Sequence, residues 1–491
     1  MLPVLTRVPL RFGAETLTEV SCLRVCVTVC DQNGRVAEGW GETPLNVQWA
    51  WPSNMQYSYR LDLMKQLCVQ IAESWVRSEA SGHPIELGYA FQLKVLPHLL
   101  RRANAVTSRE DMPHLAALVA ASAFDIALHD AYGVLHRVDS YRTYTPQYMN
   151  HDLAAYLQAD ADIGENFSEK YPVDFLSKSA PNSLPVWHMV GGLDPIAHED
   201  RNGDAPPSDS YPTTLIDWIR TDGLNCLKVK LVGNNFEWDC ERLVRVGEVA
   251  KAAGVRYLSA DFNCTVDHPD YVNQVLDRLS EQHPDLYEMV LYLEQPFPYD
   301  LEANPIDVRS ISRRKLLFLD ESADDWRRVQ LGRSLGWTGV ALKTCKSQTG
   351  ALLTLCWAKA HGMPVMVQDL TNPMLAHIPH VRLAAQADTL MGVEANAPQF
   401  YPDASMPEAQ IHPGLYRRRN GMLDLSTISG PGFGYRLDEM HRDLPAPFAL
   451  FERQTSHRVD PRQEDLTVPA FASVFQRKAA PRVARAIVES A

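Results

Sequence analysis

The sequence predicts an α+β cap domain joined to a TIM-like (β/α)8 barrel. Three observations predict it. The chain has 491 residues, more than one hydrophobic core organises. From residue 184 onward, short apolar strands alternate with helical segments eight times. Polar residues also gather at the C-terminal ends of those strands, the end where a barrel builds its site.

The cap is expected over residues 1–138. "TLTEVSCLRVCVTVC" (16–30) alternates apolar and polar residues, "DQNG" (31–34) is a turn, and "RVAEGWGETPL" (35–45) opens a second strand. "NVQWAWPSNMQYSY" (46–59) is aromatic and rich in turn formers, so it reads as a functional loop or as one anchored by its own tryptophans. Residues 59–79 and 112–133 have the helical apolar period, with Gly133 as a C-cap of the second helix. Residues 139–183 are polar and broken by Pro146, Pro172 and Pro181, which predicts an irregular insertion. The barrel is expected over 184–400, with strands at 184–192, 226–231, 255–263, 289–297, 315–322, 339–345, 364–370 and 390–396. Residues 401–491 form a C-terminal segment returning to the cap, plus a tail. An open doubly wound sheet is the alternative, but no Gly-x-Gly-x-x-Gly follows any strand.

Composition narrows the function classes. Hydrophobic residues make up 45% and charged residues 22%, and the net charge is −13 with no basic domain. Nucleic-acid and membrane partners are therefore not expected. No run approaches membrane-spanning length and the N-terminus has no secretory apolar core. The nine cysteines form no Cys-x-x-Cys pair. Cys22, Cys26 and Cys30 share one strand face as small core residues, and a reduced, cytoplasmic chain is expected.

The chemistry begins at "CLKVKL" (226–231). In a strand, Lys228 and Lys230 point to the same face, and burying two ammonium groups side by side is costly. The neighbouring strands supply the reason. Asp261 and Asn263 end the third, Glu294 and Gln295 the fourth, Asp320 and Glu321 the fifth, Lys343 the sixth and Asp369 the seventh. Asp261, Glu294 and Asp320 offer three hard oxygen donors, a set suited to Mg2+, with Mn2+ as a substitute. A lysine beside such a cation is expected to have a lowered pKa and to act as a base. Lys230 and Lys343 lie four strands apart, so they would approach a substrate from opposite sides. The bland alternative is an ionic lattice sealing the mouth, but buried ion pairs rarely improve on apolar packing.

The order "LKVK … ADFN … LEQP … LDES … LKTCKSQTG" resembles the enolase superfamily, and within it the muconate-lactonizing-enzyme-like subgroup. "GWGE" (39–42), "SAFDIALHDAYG" (122–133) and "GPGFGYRLDE" (430–439) extend the resemblance over most of 15–435. It implies a modified (β/α)7β barrel. It also implies Asp261, Glu294 and Asp320 as Mg2+ ligands, Lys230 and Lys343 as acid/base lysines on opposite faces, and Lys228 as a partner of the substrate carboxylate. A mandelate-racemase-like site would have an Asp on the sixth strand and a His at the end of the seventh; here Lys343 and "VQDL" stand there. The implied reaction is removal of the proton next to a carboxylate, giving an enediolate. The expected outcome is a racemase or epimerase of an amino-acid, dipeptide or N-acyl amino-acid substrate; a cycloisomerase or dehydratase is the alternative. Outside this chemistry stand a Schiff-base lyase using Lys230, and a non-catalytic barrel. Candidate substrate contacts are Trp49, Trp51, Asn263, Lys346, Gln368, Asp369, Glu394 and Asn396. The eighth strand carries "EAN" where dipeptide epimerases carry Asp-x-Asp. The partner is a small carboxylate, and a homo-oligomer is expected.

Overall fold

A computed structural model describes residues 1–12, 15–105, 110–164, 166–201, 207, 209–453 and 481–489. Eight parallel strands close into a barrel: β4 (Ser183–Val190), β5 (Cys226–Lys230), β6 (Tyr257–Asp261), β7 (Val290–Glu294), β8 (Leu316–Leu319), β9 (Gly339–Leu342), β10 (Val365–Val367) and β11 (Val393–Glu394). Each neighbours the next in sequence order, and β11 pairs back to β4 to close the ring. All eight predicted strands are present, each shorter than expected because the chain turns away where polar residues begin. Just past four of these strands, Asn263, Gln295, Ser347 and Thr371 adopt positive φ. Non-glycine residues held in this conformation cluster at functional sites.

The cap is a five-stranded antiparallel sheet of β1 (Leu2–Phe12), β2 (Glu15–Cys30), β3 (Val36–Leu45), β13 (Pro447–Glu452) and β14 (Arg482–Glu489). β14 pairs with β2, so residues 482–489 of the tail supply a strand of the cap sheet. A further short strand, β12 (Met422–Asp424), pairs antiparallel with β4.

The helix predicted at 112–133 runs from His114 to His136 and packs on β3. Gly133 is therefore not its C-cap; left-handed Arg137 is. Gly133 serves close packing instead, since a Cβ there would lie 2.9 Å from the Gly432 Cα. This helix is also apolar enough over a membrane-spanning length, contrary to the sequence expectation, but 94% of its most apolar window is buried inside the protein.

The three motifs outside the barrel meet at one residue of this helix. Asp130 accepts hydrogen bonds from the backbone of Trp40, in "GWGE", and of Phe433, in "GPGFGY", at 2.9 and 2.7 Å. Gly39 and Gly41 are needed because a Cβ at either would meet the helix backbone at 2.1 and 2.0 Å. One turn earlier, Asp125 accepts from the backbone and hydroxyl of Thr349, both at 2.8 Å. The cap is thus fastened to the turn that follows Lys343. The 139–183 insertion is irregular as expected, with three 3-10 turns, yet Tyr141, Tyr144, Tyr156 and Phe167 are buried in the barrel-side core.

Candidate active site

The strand ends bring ten charged side chains into one buried mouth. Four are lysines (228, 230, 343 and 346) and six are carboxylates (Asp261, Glu294, Asp320, Glu321, Asp369 and Glu394). Lys228 is the hub. Its ammonium donates to Glu294 Oε1 at 2.6 Å and Glu394 Oε2 at 2.9 Å, and lies 3.2 Å from Asp261. Lys230 donates to Asp261 at 2.5 Å. Across the ring, Lys343 lies 3.1 Å from Asp320 and donates to the Asp369 carbonyl at 3.2 Å.

These pairings favour the charged forms of Lys228 and Lys343. Burial alone would lower Lys228 and Lys343, but the facing carboxylates outweigh it and hold both above the usual range. The carboxylates divide. Burial and repulsion from Asp261 push Glu294 well above its ordinary value. Burial and the neighbouring Asp320 raise Glu321 to about 7. Burial and Glu394 raise Asp369 to about 6. Asp261 and Asp320 lie below their ordinary values, because lysine charges overcome burial.

With all ten groups ionised, six carboxylates against four ammonium groups leave an excess of two negative charges, the charge a divalent cation balances. The all-oxygen donor set suits Mg2+. By charge and chemistry, the residues fit the cation. Their arrangement is not a ready-made ligand triad: among the described residues, no three His, Cys, Asp or Glu side chains form a metal-binding group. Asp261 and Glu294 converge on the Lys228 ammonium, while Asp320 is drawn to Lys343 and Lys346.

The candidate substrate contacts separate. Trp49 lies at the mouth: its indole N–H donates to Glu321 Oε1 at 2.9 Å, and its ring stands 5.2 Å from the Lys343 ammonium. Trp51 does not; it is buried in the cap core, with its carbonyl accepting from Arg60. Trp49 lies in a short helix, Val47–Ala50, of which Trp51 is the C-cap, and residues 51–56 of the predicted loop are irregular. Lys346 is in the mouth but does not line the cavity itself; it donates to Asp320 and to the Asp320 and Ala323 carbonyls, so it braces Asp320. Gln368 donates to Glu294, and Lys228 reaches its carbonyl oxygen at 3.4 Å. Asn396 donates to Asp369 at 3.0 Å and Glu394 at 2.7 Å and accepts from the Met189 backbone. Asn263 donates to Glu321 at 3.1 Å, and its Oδ1 has no partner among the described residues.

The cavity at the mouth is small, about 30 Å³, and is lined by Lys228, Lys230, Lys343, Asp369, Glu394 and Asn396. Its cap-side wall is Leu10, Phe12 and Trp49, with Met189 and Leu370 from the barrel. No strand is predicted over residues 2–12, a stretch with prolines at 3 and 9, so Leu10 and Phe12 are not among the candidate residues. Prolines are tolerated because β1 is an edge strand. Glu321 was noted only as a strand-end residue; its adjacency to Asp320 was the available signal.

Residues 214–441 match the family described as enolase C-terminal domain-like. No curated protein sequence matches the chain. Solved structures share the fold at low identity. A dipeptide epimerase from Enterococcus faecalis, complexed with Mg and L-Leu-L-Tyr, is 14% identical with a TM-score of 0.57, over 88% of this chain and 96% of that one. An N-succinyl Arg/Lys racemase from Bacillus cereus is 14% identical with a TM-score of 0.55, over 88% and 92%. A 2-chloromuconate cycloisomerase from Rhodococcus opacus is 15% identical with a TM-score of 0.56, over 90% and 97%.

Proposed function

We propose that this chain, whose residues 214–441 match the family described as enolase C-terminal domain-like, is an enzyme that removes the proton next to a carboxylate, most simply as a racemase or epimerase. The observation that carries this reading is the placement of two lysines. Lys230 on β5 and Lys343 after β9 are four strands apart in an eight-strand ring and face one cavity. A substrate carbon between them can lose a proton to one lysine and gain one from the other, which inverts it. Lys228 is placed to meet the substrate carboxylate. Asp261, Glu294 and Asp320 would hold Mg2+ or Mn2+, which when bound would neutralise charge developing on that carboxylate.

The mouth also bears on substrate type. Glu394 is engaged by Lys228 and Asn396, and Asn396 is used by Asp369, Glu394 and Met189. Neither is free to take an α-ammonium group, Asp369 already accepts from Asn372 and Asn396, and Leu10, Phe12 and Trp49 make part of the wall apolar. This favours an N-acyl amino acid over a dipeptide or free amino acid. Cycloisomerisation is the second reading, supported by the same two lysines with only one moving a proton.

The test is α-proton exchange in D2O, followed by NMR for Lys230→Ala and Lys343→Ala with each enantiomer of an N-acyl amino-acid panel. A racemase predicts that each variant loses exchange with one enantiomer and keeps some with the other. Loss in one variant alone supports cycloisomerisation. Full exchange in both variants overturns the proposal. Activity that survives EDTA but is trapped by borohydride would favour a Schiff-base lyase.

A further inference from the structure

We propose that a second cavity, on the far face of β4 from the mouth, binds a small amphipathic molecule with an apolar body and a polar end carrying both a hydrogen-bond donor and an acceptor. Its volume is about 560 Å³, far above a packing void and within the range of small-molecule sites.

The cavity is distinct from the mouth because strands alternate. On β4, Met189 faces the mouth while His188 and Val190 face the second cavity. On β1, Leu10 and Phe12 face the mouth while Arg7, Val8 and Pro9 line the second cavity, in the stretch where the register with β2 shifts between Leu5 and Leu10. The two cavities have no lining residue in common. The walls are held together: Gly192 donates its backbone N–H to the Arg11 carbonyl at 3.0 Å, and Arg7 donates to the Tyr211 and Pro212 carbonyls at 2.9 and 3.0 Å.

The apolar body would lie against Val8, Pro9, Val190, Leu193, Leu215 and Trp218. The polar end is set by two side-chain atoms without partners. Gln399 is 3% exposed, and its amide nitrogen donates to Asp194 Oδ2 at 2.9 Å, which fixes the amide's orientation. Its Oε1 has no hydrogen-bond partner among the described residues. A buried acceptor left so is costly unless something donates to it. Arg201 is the complement: it donates to Thr213 through one terminal nitrogen, while its buried Nε–H has no partner among the described residues. An N–H or O–H for Gln399, and an anionic or carbonyl oxygen for Arg201, complete the site.

The probe is 8-anilinonaphthalene-1-sulfonate, which has an aromatic body, an N–H and a sulfonate. Its fluorescence is titrated against the full chain and three variants whose folding is checked by thermal melts. Saturable one-to-one binding is expected. Leu193→Trp, at a half-exposed loop position, should fill the cavity and weaken binding at least tenfold. Gln399→Leu should weaken it several-fold. Lys343→Ala should bind the probe as the parent does, because it alters only the mouth. Absence of saturable binding, unchanged affinity in Leu193→Trp, or lost affinity in Lys343→Ala would each overturn the proposal.

Discussion

Two buried ionic clusters sit in this molecule, and they are built differently. In the cap, Arg24 pairs with Glu42 at 2.5 Å and Glu408 at 3.2 Å, and Arg442 pairs with Glu408 at 2.6 Å. Two guanidinium groups meet two carboxylates, so the cluster is balanced. It joins β2 and β3 to the helix Met406–Ile411, and Glu42 also accepts from the Ala376 backbone. Arginine suits this work because its planar fork stays charged and binds carboxylates in fixed geometry. The barrel mouth uses lysine instead, and six carboxylates face four ammonium groups. Its charges are unbalanced, and several carboxylates are driven towards protonation. Balance and arginine mark a scaffold; imbalance and lysine mark a place where charge and protons can move.

The sharpest break in this comparison is Glu294→Gln. On the proposed function it should lower activity about a thousandfold or more, since a candidate metal ligand is lost. The midpoint of thermal unfolding should move by only a few degrees, because repulsion from Asp261 and Asp320 is also relieved. EDTA should likewise remove turnover while the circular dichroism spectrum stays that of the folded chain. A large fall in stability without a fall in turnover would reverse the assignment of the two clusters.

Arg24→Met tests the other side. Leaving Glu42 buried without its partner should cost about 3–5 kcal/mol in urea unfolding. Adding Glu42→Leu should recover most of that loss, as balanced pairs are replaceable by apolar packing. In both cases turnover per folded molecule should hold.

The two tryptophans sharpen the distinction further. Trp51→Ala removes a cap-core side chain and should cost about 3–5 kcal/mol of stability with KM unchanged. Trp49→Phe keeps the ring but removes the N–H that reaches Glu321. Steady-state kinetics should show KM raised several-fold, about 1 kcal/mol, with stability nearly intact.

Trp49 and Trp51 also show where sequence reasoning stops. Two positions apart in an aromatic segment, they are indistinguishable by composition. Trp49 lies inside the short helix Val47–Ala50, while Trp51 caps it with extended φ, and the two side chains go to different places. Lys346 is a similar case: it follows Lys343 closely in sequence, but the 3-10 turn Thr344–Lys346 swings it towards Asp320, beyond the end of β8. β1 is not predicted, and its prolines are excused only by its edge position.

What the sequence determined by itself was the barrel, its eight strands in order, and the acidic and basic residues at their ends. Those follow from local periodicity, because a strand buried in a barrel must be apolar until it reaches the mouth. What only the tertiary structure decided was which charge faces which. The hub position of Lys228, the capture of Glu394 by Lys228 and of Asn396 by Asp369 and Met189, and the closing wall of Leu10, Phe12 and Trp49 all join residues far apart in the chain. Such pairings depend on ring closure and on the seating of the cap, which no local pattern of residues encodes.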